Sequence, residues 1–96
     1  MANNFKILSH RIADNLHLHL AGDFDGSSAF ELLNLLHENL DDTAHVSIHT
    51  SNLKKIHAFG RKVFRRNLIK LRIDQSRIRF VGENAGDIAP IEIRRS

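Results

Sequence analysis

The 96-residue chain contains no cysteine. That excludes a disulfide framework, a thiolate metal site and a cysteine nucleophile, and it fits a reducing compartment. Proline occurs once, at Pro90. No linker, internal repeat or low-complexity tract divides the chain, so a single domain over residues 1–96 is expected. No apolar run approaches the roughly 20 residues that cross a bilayer. The N-terminal stretch has no basic segment followed by an apolar one, so no secretory leader is expected and the chain reads as cytoplasmic. Catalytic signatures are missing as well. There is no Gly-x-Ser-x-Gly elbow, no phosphate-binding Walker loop and no His-Glu-x-x-His pair. The expectation is a protein that is not an enzyme and uses no cofactor.

What is present is an uneven charge. Residues 1–50 hold two Lys/Arg against seven Asp/Glu, a net of −5, and residues 51–96 hold twelve against four, a net of +8. A basic surface of this kind serves an acidic protein, an anionic lipid or a nucleic acid, unless it is only a solvated helix face.

The hydrophobic pattern predicts the order β-β-α-β-α-β. Residues 5–8 and 16–20 are strand candidates. In the second, Leu16, Leu18 and Leu20 alternate with His17 and His19, and the turn-like Ala13-Asp14-Asn15 makes a hairpin. A helix is expected from Ser28 to Leu40, capped by Asp25, Ser27 or Ser28. Its apolar face is read as Phe30, Leu33, Leu36, His37 and Leu40, widened by Leu32 and Leu35. Val46 and Ile48 mark a third strand with His45, Ser47 and His49 facing away, followed by a loop. A second helix is expected from Phe59 to Leu71, with Val63, Phe64, Asn67, Leu68 and Leu71 on one arc and Arg61, Lys62, Arg65, Arg66 and Lys70 on the other. Residues 77–81 give a last strand with Ile78 and Phe80 inward. Residues 82–86 read as loop, and residues 88–93 as a final turn or edge segment. Helical connections of this length require parallel pairing. The fold class is therefore α/β: a two-layer mixed sheet of about four strands with both helices on one face and the other face open.

Two landmarks carry a family resemblance. Gly22-Asp23-Phe24-Asp25 stands just before the first helix, like the Gly-x-Leu-Asp of STAS domains, the fold of bacterial anti-sigma-factor antagonists. The block His49-Thr50-Ser51-Asn52-Leu53-Lys54-Lys55-Ile56-His57-Ala58-Phe59-Gly60 is similar to the family's Asp-Leu-Ser to Ile-Asp-Ser-Ser-Gly segment. Ser51, Leu53, Ile56 and Gly60 keep its register, and the resemblance covers about residues 5–85. It implies a regulatory module that docks a protein partner at the N-terminus of the second helix. Yet His57, Ala58 and Phe59 stand where the family has Asp-Ser-Ser. Neither Ala58 nor Phe59 has the hydroxyl that would accept a phosphoryl group, so serine-kinase switching at this position is not expected. Ser51 reads as a loop-ordering hydrogen-bonding residue.

The expected partner-binding residues are Asp23, Asp25, His57, Ala58, Phe59, Arg61, Lys62, Arg65, Arg66 and Ile69. Phe59 is either an exposed interface anchor or a core residue folded against the first helix. Asp23 and Asp25 read more simply as a helix-capping pair. The partner class is an acidic protein, such as an anti-sigma-factor-like kinase. The alternative is a nucleic acid held by the Arg/Lys face of the second helix, which lacks an interleaved stacking platform. Self-association through Glu31, Glu38, Asp41 and Asp42 is a further reading. If the second and third strands are neighbours, His17, His19, His45 and His49 share the open face with Arg77 and Arg79. Guanidiniums disfavour a bound cation there, so an anion or a pH response suits this set better than Zn²⁺, and polar residues on a solvated sheet face are the first reading ahead of both.

Overall fold

The structure is a computed structural model that describes residues 4–89. Strand β1 (Lys6–Ile12) turns at Ala13-Asp14 into β2 (Asn15–Phe24). Helix α1 (Gly26–Asn39) follows, extended by a 3-10 turn at Leu40–Asp42. Then come β3 (His45–Ile56), α2 (Ala58–Lys70), a 3-10 turn at Gln75–Arg77, β4 (Ile78–Val81) and the one-turn helix α3 (Ala85–Ile88). The sheet order is β1-β2-β3-β4. β1 runs antiparallel to β2, and both β2–β3 and β3–β4 are parallel. This is the expected order and the expected mixed sheet. Among the described residues no helix is long and apolar enough to cross a membrane.

The core lies between one sheet face and α1 and α2. Leu16, Leu18, Leu20 and Phe24 of β2 join Val46, Ile48 and Leu53 of β3 and Ile78 of β4, all buried. Ala29, Leu32, Leu33 and Leu36 of α1 and Phe64 and Leu68 of α2 close over them. Phe24, Phe64 and Phe80 form an edge-to-face chain with 6.0 Å between successive ring centroids, the arrangement that ring quadrupoles favour.

Four local expectations are corrected. First, Phe30 and His37 are exposed rather than inward, and Ser28 and Ala29 take the buried positions of α1. The helix starts two residues earlier than expected, and the Ser28 hydroxyl is buried because it donates to the Asp23 carbonyl at 2.9 Å. Second, Leu71 lies past the end of α2 and is exposed.

Third, no loop follows Ile48. β3 continues to Ile56, pairing Asn52 with Ala21, Leu53 with Gly22, Lys55 with Asp23 and Ile56 with Phe24, across two register shifts. Gly22 sits at one of these irregularities with φ +91°, a conformation open to glycine without strain. The hydrogen bonds that fasten this stretch come from Thr50 Oγ1 to the Val81 carbonyl, 2.9 Å, and from Asn84 Nδ2 to the Thr50 carbonyl, 2.9 Å. Fourth, Ala85 and Gly86, expected as the end of a loop, open the one-turn helix α3, which runs to Ile88. The remainder of the 88–93 segment lies outside the described residues from Pro90 onward.

Candidate functional site

The parallel pairing of β2 and β3 brings the starts of α1 and α2 side by side. Phe24 and Ile56 are register partners, and the His57 amide donates to the Phe24 carbonyl at 2.9 Å. Each helix begins one or two residues later. Asp25 is the N-cap of α1. Its carboxylate accepts from the Ser28 amide at 3.0 Å and from the hydroxyls of Ser27 and Ser28 at 2.9 and 3.0 Å. The Ser28 amide, and after it those hydroxyls, hold the Asp25 pKa down at about 2, against the opposing effect of partial burial. Asp23 does not share in the cap through its carboxylate. Its backbone is what is used, the carbonyl by Ser28 Oγ and the amide by Asn4 Oδ1.

α2 starts at His57, whose side chain makes no capping hydrogen bond. Gly60 meets the α1 cap so closely that a Cβ there would fall 2.6–2.8 Å from the Asp25 backbone. Gly26 plays the reciprocal part, since a Cβ on it would lie 2.9 Å from the Phe59 ring. The ring is laid across the first turn of α1 and is still 67% exposed. Phe59 is therefore not core.

With 100° per residue, the residues farthest from the buried Gly60, Phe64 and Leu68 are Phe59, Lys62, Arg66, Ile69 and Lys70. All five are exposed, Ile69 at 65%. They form one stripe in which Phe59 and Ile69 flank Lys62 and Arg66, with Lys70 beyond. His57 and Ala58 are exposed beside Phe59, and Arg61 is half-buried at the stripe's margin. Arg65 departs from expectation. Its guanidinium turns to the C-terminal end of α3 and donates to the carbonyls of Ala89 at 3.1 Å and Asp87 at 3.4 Å. It fastens α3 to α2 and is not on the stripe. Glu31, Glu38, Asp41 and Asp42 are exposed on and after α1.

The uncovered sheet face carries the second grouping. His10 pairs with His17, and His19 with His49, across neighbouring strands. Four imidazoles stack there. His10 lies 4.9 Å from His17 and 5.1 Å from His19, while His49 lies 4.2 Å from His19 and 5.3 Å from His17, centroid to centroid. His17 Nδ1 and His49 Nε2 are 3.0 Å apart. Partial burial, and after it the neighbouring His19, His17 and His10, push the His49 pKa below its usual 6.5. The sequence reading included His17, His19, His45 and His49 but missed His10. The signal was available, because the strand continues past residue 8 and places His10 on the same face as Leu8 and Ile12. His45 sits one row away, opposite Asn15. Among the described residues no three potential ligands are arranged to hold a metal ion. Arg79 stays exposed on this face, whereas the Arg77 guanidinium is taken up by the carbonyls of Leu40, Thr43 and Ala44.

No known family profile matches the chain, and no curated protein matches it. Solved structures do. Mglu matches with a TM-score of 0.66 at 21% identity, over 79% of this chain and 19% of Mglu. Mglu in its L-glutamate binding form matches at 0.65 and 16% identity, over 88% of this chain and 28% of that one. The chain thus spans between about a fifth and somewhat over a quarter of the length of the Mglu structures. An uncharacterised DUF3478-family protein of Shewanella loihica PV-4, with a SpoIIAA-like fold, matches at 0.58 and 14% identity, over 86% of this chain and 69% of that one. At these identities the likeness is one of fold, and the four-stranded mixed sheet with its helices on one side is the SpoIIAA-like, or STAS, fold.

Proposed function

We propose that this chain is a non-catalytic interaction module that docks an acidic protein partner on the outer stripe of α2, without serine phosphorylation. The observation that carries this is the exposure of Phe59 and Ile69 flanking Lys62 and Arg66 on one stripe. Ten residues apart in sequence, the two lie roughly 15 Å from one another along the helix, the scale of the central patch of a standard interface. Aromatic anchors flanked by cations are the composition in which binding energy concentrates. The cations add complementarity to an acidic face and speed encounter. An anti-sigma-factor-like kinase or another acidic protein meets that description. A nucleic acid backbone would use the cations but leave Phe59 and Ile69 idle. The likeness to a fraction of Mglu supports a module that also works as part of longer chains.

The test is affinity capture with the wild-type chain, a Phe59→Ala/Arg66→Glu double variant, and an Arg79→Gln variant on the opposite face. Partners shared by wild type and Arg79→Gln but lost by the double variant are the expected result. Equal recovery by all three would place docking elsewhere.

A further inference from the structure

The strand register lays out a second surface, on the sheet face that the helices leave uncovered. β2, β3 and β4 run parallel, so residues of equal register form rows across them. His17 pairs with Ser47, and Ser47 with Arg79. One step toward the strand starts, Asn15 pairs with His45. Neighbouring strands lie about 4.8 Å apart and same-face residues along a strand about 6.6–6.8 Å apart. The two rows therefore bring imidazole, hydroxyl, guanidinium and amide donors within the span of a single small ligand. These residues line one open cavity of about 590 Å³. Among the described residues its lining contains no carboxylate, and it reaches around the edge strand β4 to Phe80 and Ala89.

We propose that this cavity binds a phosphate-type oxyanion, free or as the end of a small organic phosphate, with Arg79, His17 and Ser47 as its donors and His45 and Asn15 beside them. Arg79 supplies the permanent charge. Arg77 does not compete, because its guanidinium is held by the backbone carbonyls of Leu40, Thr43 and Ala44. Ser47 contributes a hydroxyl between Arg79 and His17, at the centre of the row.

His17 is the residue the surrounding stack prepares. The 3.0 Å contact of its Nδ1 with His49 Nε2 needs one proton between the two nitrogens. A neutral His49 can carry that proton on Nε2, and His17 then accepts it through Nδ1. In that tautomer His17 carries its own N–H on Nε2, which is left to donate to an anion. The cavity is larger than an inorganic anion requires, since ligand sites of roughly 300–1,000 Å³ hold small organic molecules. This surface is on the opposite side of the sheet from the α2 stripe, so the two readings stand or fall separately.

The experiment is a titration followed by the imidazole carbon–proton NMR signals, at about pH 6, where ordinary imidazole is largely protonated. The probes are inorganic phosphate and phenyl phosphate, with sodium chloride at matched ionic strength as control. Saturable shifts of His17 and His45 are expected, with affinity weakened at least tenfold by Arg79→Gln and by Ser47→Ala. Both variants should keep the wild-type melting temperature, Arg79 being exposed. Tighter binding of phenyl phosphate would assign the organic ester as ligand, and equal binding the free anion. Shifts that sodium chloride reproduces, or that neither variant alters, would overturn the site.

Discussion

Gly60 of α2 lies against the backbone of Asp25, so that a Cβ added to it would sit 2.6 Å from the Asp25 carbonyl carbon. The approach joins the starts of the two helices and sets the platform on which Phe59 is displayed. Alanine is the better helix former by about 1 kcal/mol, so propensity alone predicts that Gly60→Ala stabilises. The obstructing atoms are backbone, which cannot swing aside, and overpacking costs about 1–3 kcal/mol or more. A net loss of about 2 kcal/mol is expected from urea unfolding. A variant as stable as wild type would show that the helices do not need this contact.

Asp25 makes that same junction sensitive to acid. Its carboxylate is held at about 2 in the folded chain against an ordinary 3.8. The unfolded state therefore binds the proton more readily, and stability from this group is present above about pH 4 and lost as pH falls toward 2. Asp25→Ala should cost about 1 kcal/mol at neutral pH, the usual worth of an N-cap. Asp25→Asn should retain most of the cap and lose the acid dependence between pH 4 and 2. Unfolding midpoints measured across that range separate the two effects. Equal acid dependence in wild type and Asp25→Asn would remove Asp25 as its source.

The exposed and buried phenylalanines of α2 should behave oppositely. Phe64 is fully buried in the edge-to-face chain with Phe24 and Phe80, so Phe64→Ala should cost about 3–5 kcal/mol. Phe59→Ala and Ile69→Ala remove side chains that mostly face solvent, and each should change stability by no more than about 0.5 kcal/mol. Thermal melts of the three variants provide the comparison. A Phe59→Ala loss near that of Phe64→Ala would mean that the ring is structural after all.

Much of this was legible in the chain because burial writes a period into it. Leu16-His17-Leu18-His19-Leu20 alternates, and Phe64, Leu68 and their neighbours recur at helical spacing. Those patterns gave the element order and the mixed sheet, while the position of Phe59, open between surface and core in the sequence, is decided by the structure. The errors arose where tertiary contacts override the pattern. Ser28 is buried because its hydroxyl finds the Asp23 carbonyl, and no periodicity announces that. Arg65 looks like any other cation of α2 until α3 is seen to supply the carbonyls of Asp87 and Ala89. The polar run Thr50-Ser51-Asn52 reads as loop. It is strand because β2 extends alongside it to Phe24 and offers partners through two register shifts. His10 escaped notice because β1 is seven residues long and only its first apolar residues carry a core signal.

The imidazole stack on the open face gives the last prediction, a loss of stability on mild acidification. His49 is held below its usual 6.5 first by burial and then by His19, His17 and His10. A lowered histidine pKa means that the folded state resists a proton the unfolded chain accepts freely. Its contribution is therefore complete above about pH 7 and falls as pH drops through 6.5. The groups facing His49 are His17 and His19 on β2 and His10 on β1, with Arg79 two residues along on β4. None is acidic, so none offsets the charge. Urea midpoints at pH 8, 7, 6 and 5 should decline through the lower half of that series. His49→Phe keeps a ring in the stack but cannot take a proton, and its midpoint should decline less steeply. This window lies well above the one set by Asp25, so the two titrations are separable in one series. If His49→Phe loses stability between pH 7 and 5 as steeply as wild type does, the acid sensitivity belongs to other histidines of the chain.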